Sequence, residues 1–158
     1  MTFARFLSLA VVGVLIVPIE LLGYGSEAFL GGSNDLPSSA IDAKGVRHTQ
    51  SAQSSEIPPW MRDGVKLVAP YYPYEDRRLH HTGIGRFRVQ LDLNSGKVIQ
   101  VTIVKSTGFA TLDNSAILAF RQSRWKPGKW KEIDVPVRFI MARQPITLPP
   151  GAVRLQPH

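Results

Sequence analysis

Residues Leu112–Trp130 read LDNSAILAFRQSRWKPGKW, and the spacing within them decides the fold. Leu112, Ala116, Ala119, Phe120 and Ser123 recur at the interval of a single helix face, with Thr111 placed as an N-cap and Asp113 in the positive first turn. Arg121 and Arg124 complement the negative helix end, and Pro127-Gly128 prevents continuation. Two alanines on the stripe let such a helix approach a sheet closely, while Phe120 and Trp125 supply bulk. Immediately after the stop, WKEIDVPVRFIM alternates, turning Ile133, Val135, Val137, Phe139 and Met141 inward. The helix therefore returns the chain across a sheet to a last strand.

The other strands lie upstream. RFRVQLDL puts Phe87, Val89, Leu91 and Leu93 on one face and Arg86, Arg88, Gln90 and Asp92 on the other. Asn94, Ser95 and Gly96 form a hairpin loop with Gly96 suited to the left-handed position, and KVIQVTIVKS returns with Ile99, Val101 and Ile103 on the core side. Before them, YYPYEDRRLHHTGIG opens a short helix at Pro73, with Glu75 and Asp76 early, Arg77 to His81 late and a stop at Gly83. The expectation is an α+β domain, α-β-β-α-β: a small three-stranded antiparallel sheet of order 2-1-3 with two helices, preceded by an N-terminal apolar helix. That order leaves the last strand on an edge, where Pro136, lacking a donor, is tolerated.

Charge and composition bound the rest. Of the 19 Lys+Arg and 12 Asp+Glu in 158 residues, 13 and 6 fall between Tyr71 and Arg143, so the net charge of +7 resides in that window. With no cysteine, disulfides and Cys-ligated metals are excluded. The first 25 residues carry Arg5 followed by an apolar run from Phe6 to Ile19, the pattern of an export segment. Two outcomes are open: cleavage after Gly25 or Ala28, or retention as a signal anchor with a cytoplasmic N-terminus. Residues 26–69 read as a linker rich in Gly, Ser, Asp and Gln, with Trp60 a tethered aromatic near the boundary. Residues 70–143 form the domain and 144–158 a proline-punctuated tail.

The pattern from Tyr71 to Met141 resembles the C-terminal domain of the TonB family of energy transducers. The likeness is carried by Tyr72-Pro73, Gly83, SGKVIQVTIVKSTGFATLD over Ser95–Asp113, Ala116, Ala119, Arg121, RWKPG over Arg124–Gly128 and VPVRF over Val135–Phe139. The resemblance implies a periplasmic domain on an inner-membrane, single-pass anchor. It also implies capture of an extended peptide of an outer-membrane or envelope transporter beside the last strand, and coupling to inner-membrane proton-driven motor proteins. The mode is β-augmentation. The candidate edge is Ile133, Asp134, Val135, Pro136, Val137, Arg138, Phe139 and Ile140. Glu75 stands where the family often has arginine. About forty mixed residues replace a long Pro-rich spacer, reaching roughly 135 Å fully stretched.

Three other readings compete. A short tethered or secreted adaptor would use the same edge without transmitting force, and an open edge would also let two copies pair as a homodimer. Nucleic-acid binding would use Arg86, Arg88 and Arg138 on the polar sheet face, but Phe87 and Phe139 alternate onto the buried face instead of offering stacking platforms. The sequence predicts no nucleic-acid partner. An enzyme lacks support, because His80 and His81 are adjacent and diverge on a helix, and no nucleophile motif or phosphate loop occurs. No metal and no cofactor are expected.

Overall fold

In the computed structural model, the described residues are 25–30, 37–51, 54, 56–142 and 152–154. The expected N-terminal apolar helix lies outside them. The elements in chain order are β1 (Gly25–Leu30), β2 (Ser38–Asp42), β3 (Arg47–Gln50), α1 (Pro59–Arg62), β4 (Gly64–Ala69), α2 (Tyr74–Arg78), β5 (Gly83–Leu91), β6 (Val98–Lys105), α3 (Ala110–Gln122), β7 (Arg124–Trp125), β8 (Trp130–Ala142) and β9 (Ala152–Arg154).

The class is α+β with an antiparallel sheet, and the inner order β6-β5-β8 is the expected 2-1-3. The expected count of three strands is too low. The sheet continues as β3-β2-β8-β5-β6, with β1 also paired to β8, giving six strands. A second, smaller sheet has the order β7-β4-β9.

The helix-and-strand reading of Leu112–Trp130 holds in the packing. Leu112, Ala116, Ala119 and Phe120 are buried in α3, and Ser123 is buried at its C-cap. Phe120 meets Phe87 of β5 with ring centroids 5.8 Å apart, and Ile133, Val135, Val137 and Phe139 of β8 complete the core. Gly96 takes the left-handed conformation, φ 68°, and a Cβ there would lie 1.9 Å from the Trp125 carbonyl oxygen. No side chain other than hydrogen fits that hairpin against the end of α3.

Several local expectations are corrected. Ile99, placed on the core side by alternation, is 69% exposed, because a bulge pairs Leu91 with Val98 and Gln90 with Gln100, leaving Ile99 as the extra residue. Gly83 does not close α2. The helix ends through Leu79 and a left-handed His80, φ 55°, and Gly83 opens β5, where a Cβ would sit 2.1 Å from the Thr107 carbonyl oxygen. Thr111 is not the N-cap of α3; Phe109 holds that position, with no side-chain cap.

The largest correction concerns residues 26–69, read as a linker. Five segments of that stretch are β1, β2, β3, α1 and β4. Ala40, Trp60, Met61, Leu67 and Ala69 all join the core cluster. Trp60 packs edge-on against Trp130 at 5.9 Å, and its carbonyl accepts a 2.8 Å hydrogen bond from the Trp125 indole nitrogen. β4 is pinned to the far end of α3, where the Val68 amide donates to the Ser123 hydroxyl at 3.0 Å. Within the expected tail, β9 pairs with β4 in parallel register, Leu67 with Ala152 to Ala69 with Arg154.

Trp60 separates the two accounts of this stretch. Trp60→Ala should destabilise the chain by about 3–5 kcal/mol, as expected for emptying a large buried site. Urea denaturation followed by circular dichroism reads this; a linker residue would leave the midpoint unchanged.

Candidate functional site

The candidate site is the last strand and whatever lies along its sides. β8 is thirteen residues long, and β5 covers one side from Glu132 to Phe139 in the register Gln90–Glu132 to Gly83–Phe139. Ile140, Met141 and Ala142 extend past the end of that ladder.

The expected open edge is not open in this structure. On the side away from β5, β2 pairs with Trp130–Asp134 and β1 pairs with Val137–Ala142. Ile133 thus faces Val89 on one side and Ala40 on the other; Asp134 faces Arg88 and Ser39. Val137 lies between Gly85 and Leu30, Arg138 between Ile84 and Phe29, and Phe139 between Gly83 and Ala28, while Ile140 pairs with Glu27. Val135 and Pro136 face Phe87 and Arg86 on β5 and fall between the two outer segments. The tolerance for Pro136 follows from that interval: its nitrogen, with no hydrogen to donate, is accommodated where neither β1 nor β2 is in register. Sequence reasoning located the proline correctly relative to ladder demand but assigned the reason to a free edge.

Side chains of the predicted edge divide by face. Ile133, Val135, Val137 and Phe139 are core residues, and Phe139 packs edge-on against Tyr72 at 5.3 Å. On the opposite face Asp134, though buried, accepts two hydrogen bonds from the Arg88 guanidinium, 2.8 Å from Nε and 3.0 Å from the second nitrogen. Glu132 lies 3.2 Å from Arg88 and 3.7 Å from Arg47. The hydrogen bond to Asp134 holds the Arg88 pKa above its ordinary value against the opposing effect of burial. On this face Arg88 is therefore compensated by Asp134 and Glu132. Such pairing takes Arg88 out of the set proposed for phosphates.

Two clusters escaped sequence reasoning. His81, read as a surface histidine, stacks on Phe109 at 4.0 Å and bonds through Nδ1 to Asp76 at 2.8 Å. Asp76 also accepts from the Thr111 hydroxyl at 2.8 Å, and the Tyr72 hydroxyl donates to the His81 carbonyl. Burial, followed by the nearby Asp76 charge, raises the Tyr72 pKa above its ordinary value. Asp113, read as a dipole residue, is buried and accepts from Ser106 and from both the amide and hydroxyl of Thr107. It ties the end of β6 to the start of α3. The only signal for either cluster was a carboxylate at a helix start. Among the described residues no group of three or more His, Asp or Glu could hold a metal ion. No helix among them is long and apolar enough to cross a membrane.

This arrangement, a helix laid on an antiparallel sheet whose long last strand extends past its partner, defines a small α+β domain. Residues 68–143, just under half of the chain, match the family described as Gram-negative bacterial TonB protein C-terminal. The chain is 33% identical over 100 residues to Protein TonB of Neisseria meningitidis serogroup C, covering 63% of this chain and 35% of that protein. It is 32% identical over 79 residues to Protein TonB of Pseudomonas putida, covering 49% and 32%. The chain thus spans about a third of the length of these relatives. No solved structure matches. The family match begins inside β4, so β1, β2, β3 and α1 all precede it.

Asp63 provides a test of how the preceding segment is joined to the family domain. Burial alone would raise its pKa, but hydrogen bonds from Lys126 (2.9 Å) and the Trp130 indole (3.1 Å) outweigh it and hold the carboxyl below its ordinary 3.8. A depressed pKa contributes stability that is complete above the unfolded value and is lost as pH falls through the folded one. The midpoint temperature of the wild type should therefore drop more steeply below pH 3.8 than that of Asp63→Asn, which starts lower at neutral pH. Thermal melts at pH 7, 4 and 2.5 check the difference; equal slopes would remove Asp63 from the joint.

Proposed function

We propose that this chain is a TonB-type energy transducer or a close variant of one, whose periplasmic domain captures an extended peptide of an outer-membrane or envelope transporter by strand addition. The carrying observation is the backbone of Val137–Ala142, whose last three residues extend past β5 and which has β1, a six-residue segment from outside the family match, along its outer side. Strand addition draws its affinity from main-chain hydrogen bonds, so an incoming segment needs a contiguous length of strand, and this half of β8 supplies it. The apolar run Phe6–Ile19, as a signal anchor, would place the domain in the periplasm, where inner-membrane proton-driven motor proteins would be the source of force.

One observation favours the second reading, a short tethered or secreted adaptor that binds without pulling. Strands β2 to β4 and α1 consume most of the residues that would otherwise be spacer. Even with β1 released, the segment from Glu20 to Pro37 stretches to only about 60 Å. That is less than half the reach of a forty-residue linker. Retention of the apolar run is required by the first reading and not by the second.

The chain has no cysteines, so single substitutions can map where a peptide lands. A synthetic transporter peptide carrying one cysteine should form a disulfide with Ile140→Cys and not with Ile103→Cys on β6, the strand at the opposite end of the sheet. Cross-linking at position 103 alone would move the binding site to β6, and cross-linking at neither would remove strand addition.

A further inference from the structure

Two segments of the chain share the outer side of β8, and they are built differently. β2 is fixed: Ser38 and Ala40 are buried, Ala40 is part of the core, and β3 pairs with its other side. β1 reads GSEAFL, and three of its first four residues, Gly25, Glu27 and Ala28, are types depleted in strands. It pairs with β8 over six positions, Gly25 with Ala142 to Leu30 with Val137. Its position along the chain is equally distinctive. Only Glu20 to Tyr24 separate it from the apolar run Phe6–Ile19.

We propose that β1 is an exchangeable, built-in occupant of the docking edge, and that a partner strand binds by replacing it on Val137–Ala142. This deepens the strand-capture reading by naming what regulates the site and what fits it. By register, an occupant's alternate positions pair with Met141, Phe139 and Val137, of which Val137 and Phe139 are core residues and Met141 packs partly buried against them. The partner that fits is an extended segment of about six residues with small or aliphatic side chains at alternate positions. β2 stays in place and sets the limit of the site at Asp134, with Val135 and Pro136 as the interval between fixed and exchangeable cover. Occupancy by β1 lowers the apparent affinity for any competing strand in proportion to the fraction of time it is docked.

The exchange also links the edge to the N-terminal segment. Docked β1 holds the domain five residues from the apolar run, while its release frees the thirteen residues from Gly25 to Pro37, about 45 Å of extra reach. A tension that draws the apolar run away from the domain thus opens the edge, and a bound partner lengthens the tether.

The test uses the full chain with Ser26→Cys and Met141→Cys, a pair in direct register and, with Pro136 facing away from β5, at a non-hydrogen-bonded position where the two Cα atoms approach to about 4.5 Å, within disulfide range. The first probe is a labelled synthetic peptide of residues 24–31, YGSEAFLG. Fluorescence anisotropy should show binding to the reduced chain and a loss of at least about tenfold on oxidation, reversed by reductant. Glu27→Cys with Ile140→Cys should behave alike, and unchanged circular dichroism in both redox states excludes misfolding as the cause. Equal binding to oxidised and reduced chain, or no binding to either, would overturn the exchange. A transporter peptide forms the second arm: if it fails where the residue 24–31 peptide succeeds, the transporter reading falls and the exchangeable edge stands.

Discussion

The antiparallel ladder between β5 and β8 is the constraint on which the rest of the molecule depends. Its register sets Phe87 beside Val135 and Val89 beside Ile133, creating the apolar surface that α3 covers. The same register sets Arg88 beside Asp134 on the other face. A slip of one residue would turn every core side chain outward and separate that ion pair, so the two faces enforce one alignment from opposite sides. α3 then contributes little specificity of its own. Its small residues Ala116 and Ala119 allow close approach, and Asp113 and Ser123 tie its two ends to the β6–α3 connection and to β4.

Because β8 is longer than β5, the ladder leaves a surplus of backbone at one end, and the chain resolves that surplus with residues that precede the family domain. This is a common response to unpaired strand edges, which otherwise invite association with other chains. Here the cover comes in two pieces of unequal quality. Pro136 marks their division: the position that cannot donate falls where no donation is asked. The closed edge also alters how self-association is viewed, since among the described residues the strands at the ends of this sheet are β3, β1 and β6, not the last strand.

The family domain was legible because its elements carry their own periodicity. Phe87, Val89 and Leu91 alternate over a nine-residue strand, and the stripe of α3 repeats over thirteen residues, enough for the pattern to stand out from composition. β2 and β3, at five and four residues, are too short and polar to show a period, and their reason for being strands is the backbone of β8 some ninety residues away. Trp60 looked like a tethered aromatic because its partners, Trp125 and Trp130, lie 65 and 70 residues further along the chain. The bulge at Ile99 and the left-handed His80 are departures from regular geometry that local alternation cannot encode. β1 was hidden for a different cause: Gly25 and Ala28 also fit the small-residue pattern of a cleavage site, and a cut after Ala28 would divide the strand. The pairing of β1 and β2 along the outer side of β8 was therefore not legible in the sequence.

The chain has three tryptophans, and all of them, Trp60, Trp125 and Trp130, gather at the seam where α1 meets the end of α3 and the start of β8. Intrinsic emission is consequently a local gauge of that seam. It would report separation of the upstream segment from the family domain as sensitively as global melting, yet stay silent while the opposite end of β8 changes hands. Any optical study of ligand capture needs an added chromophore there.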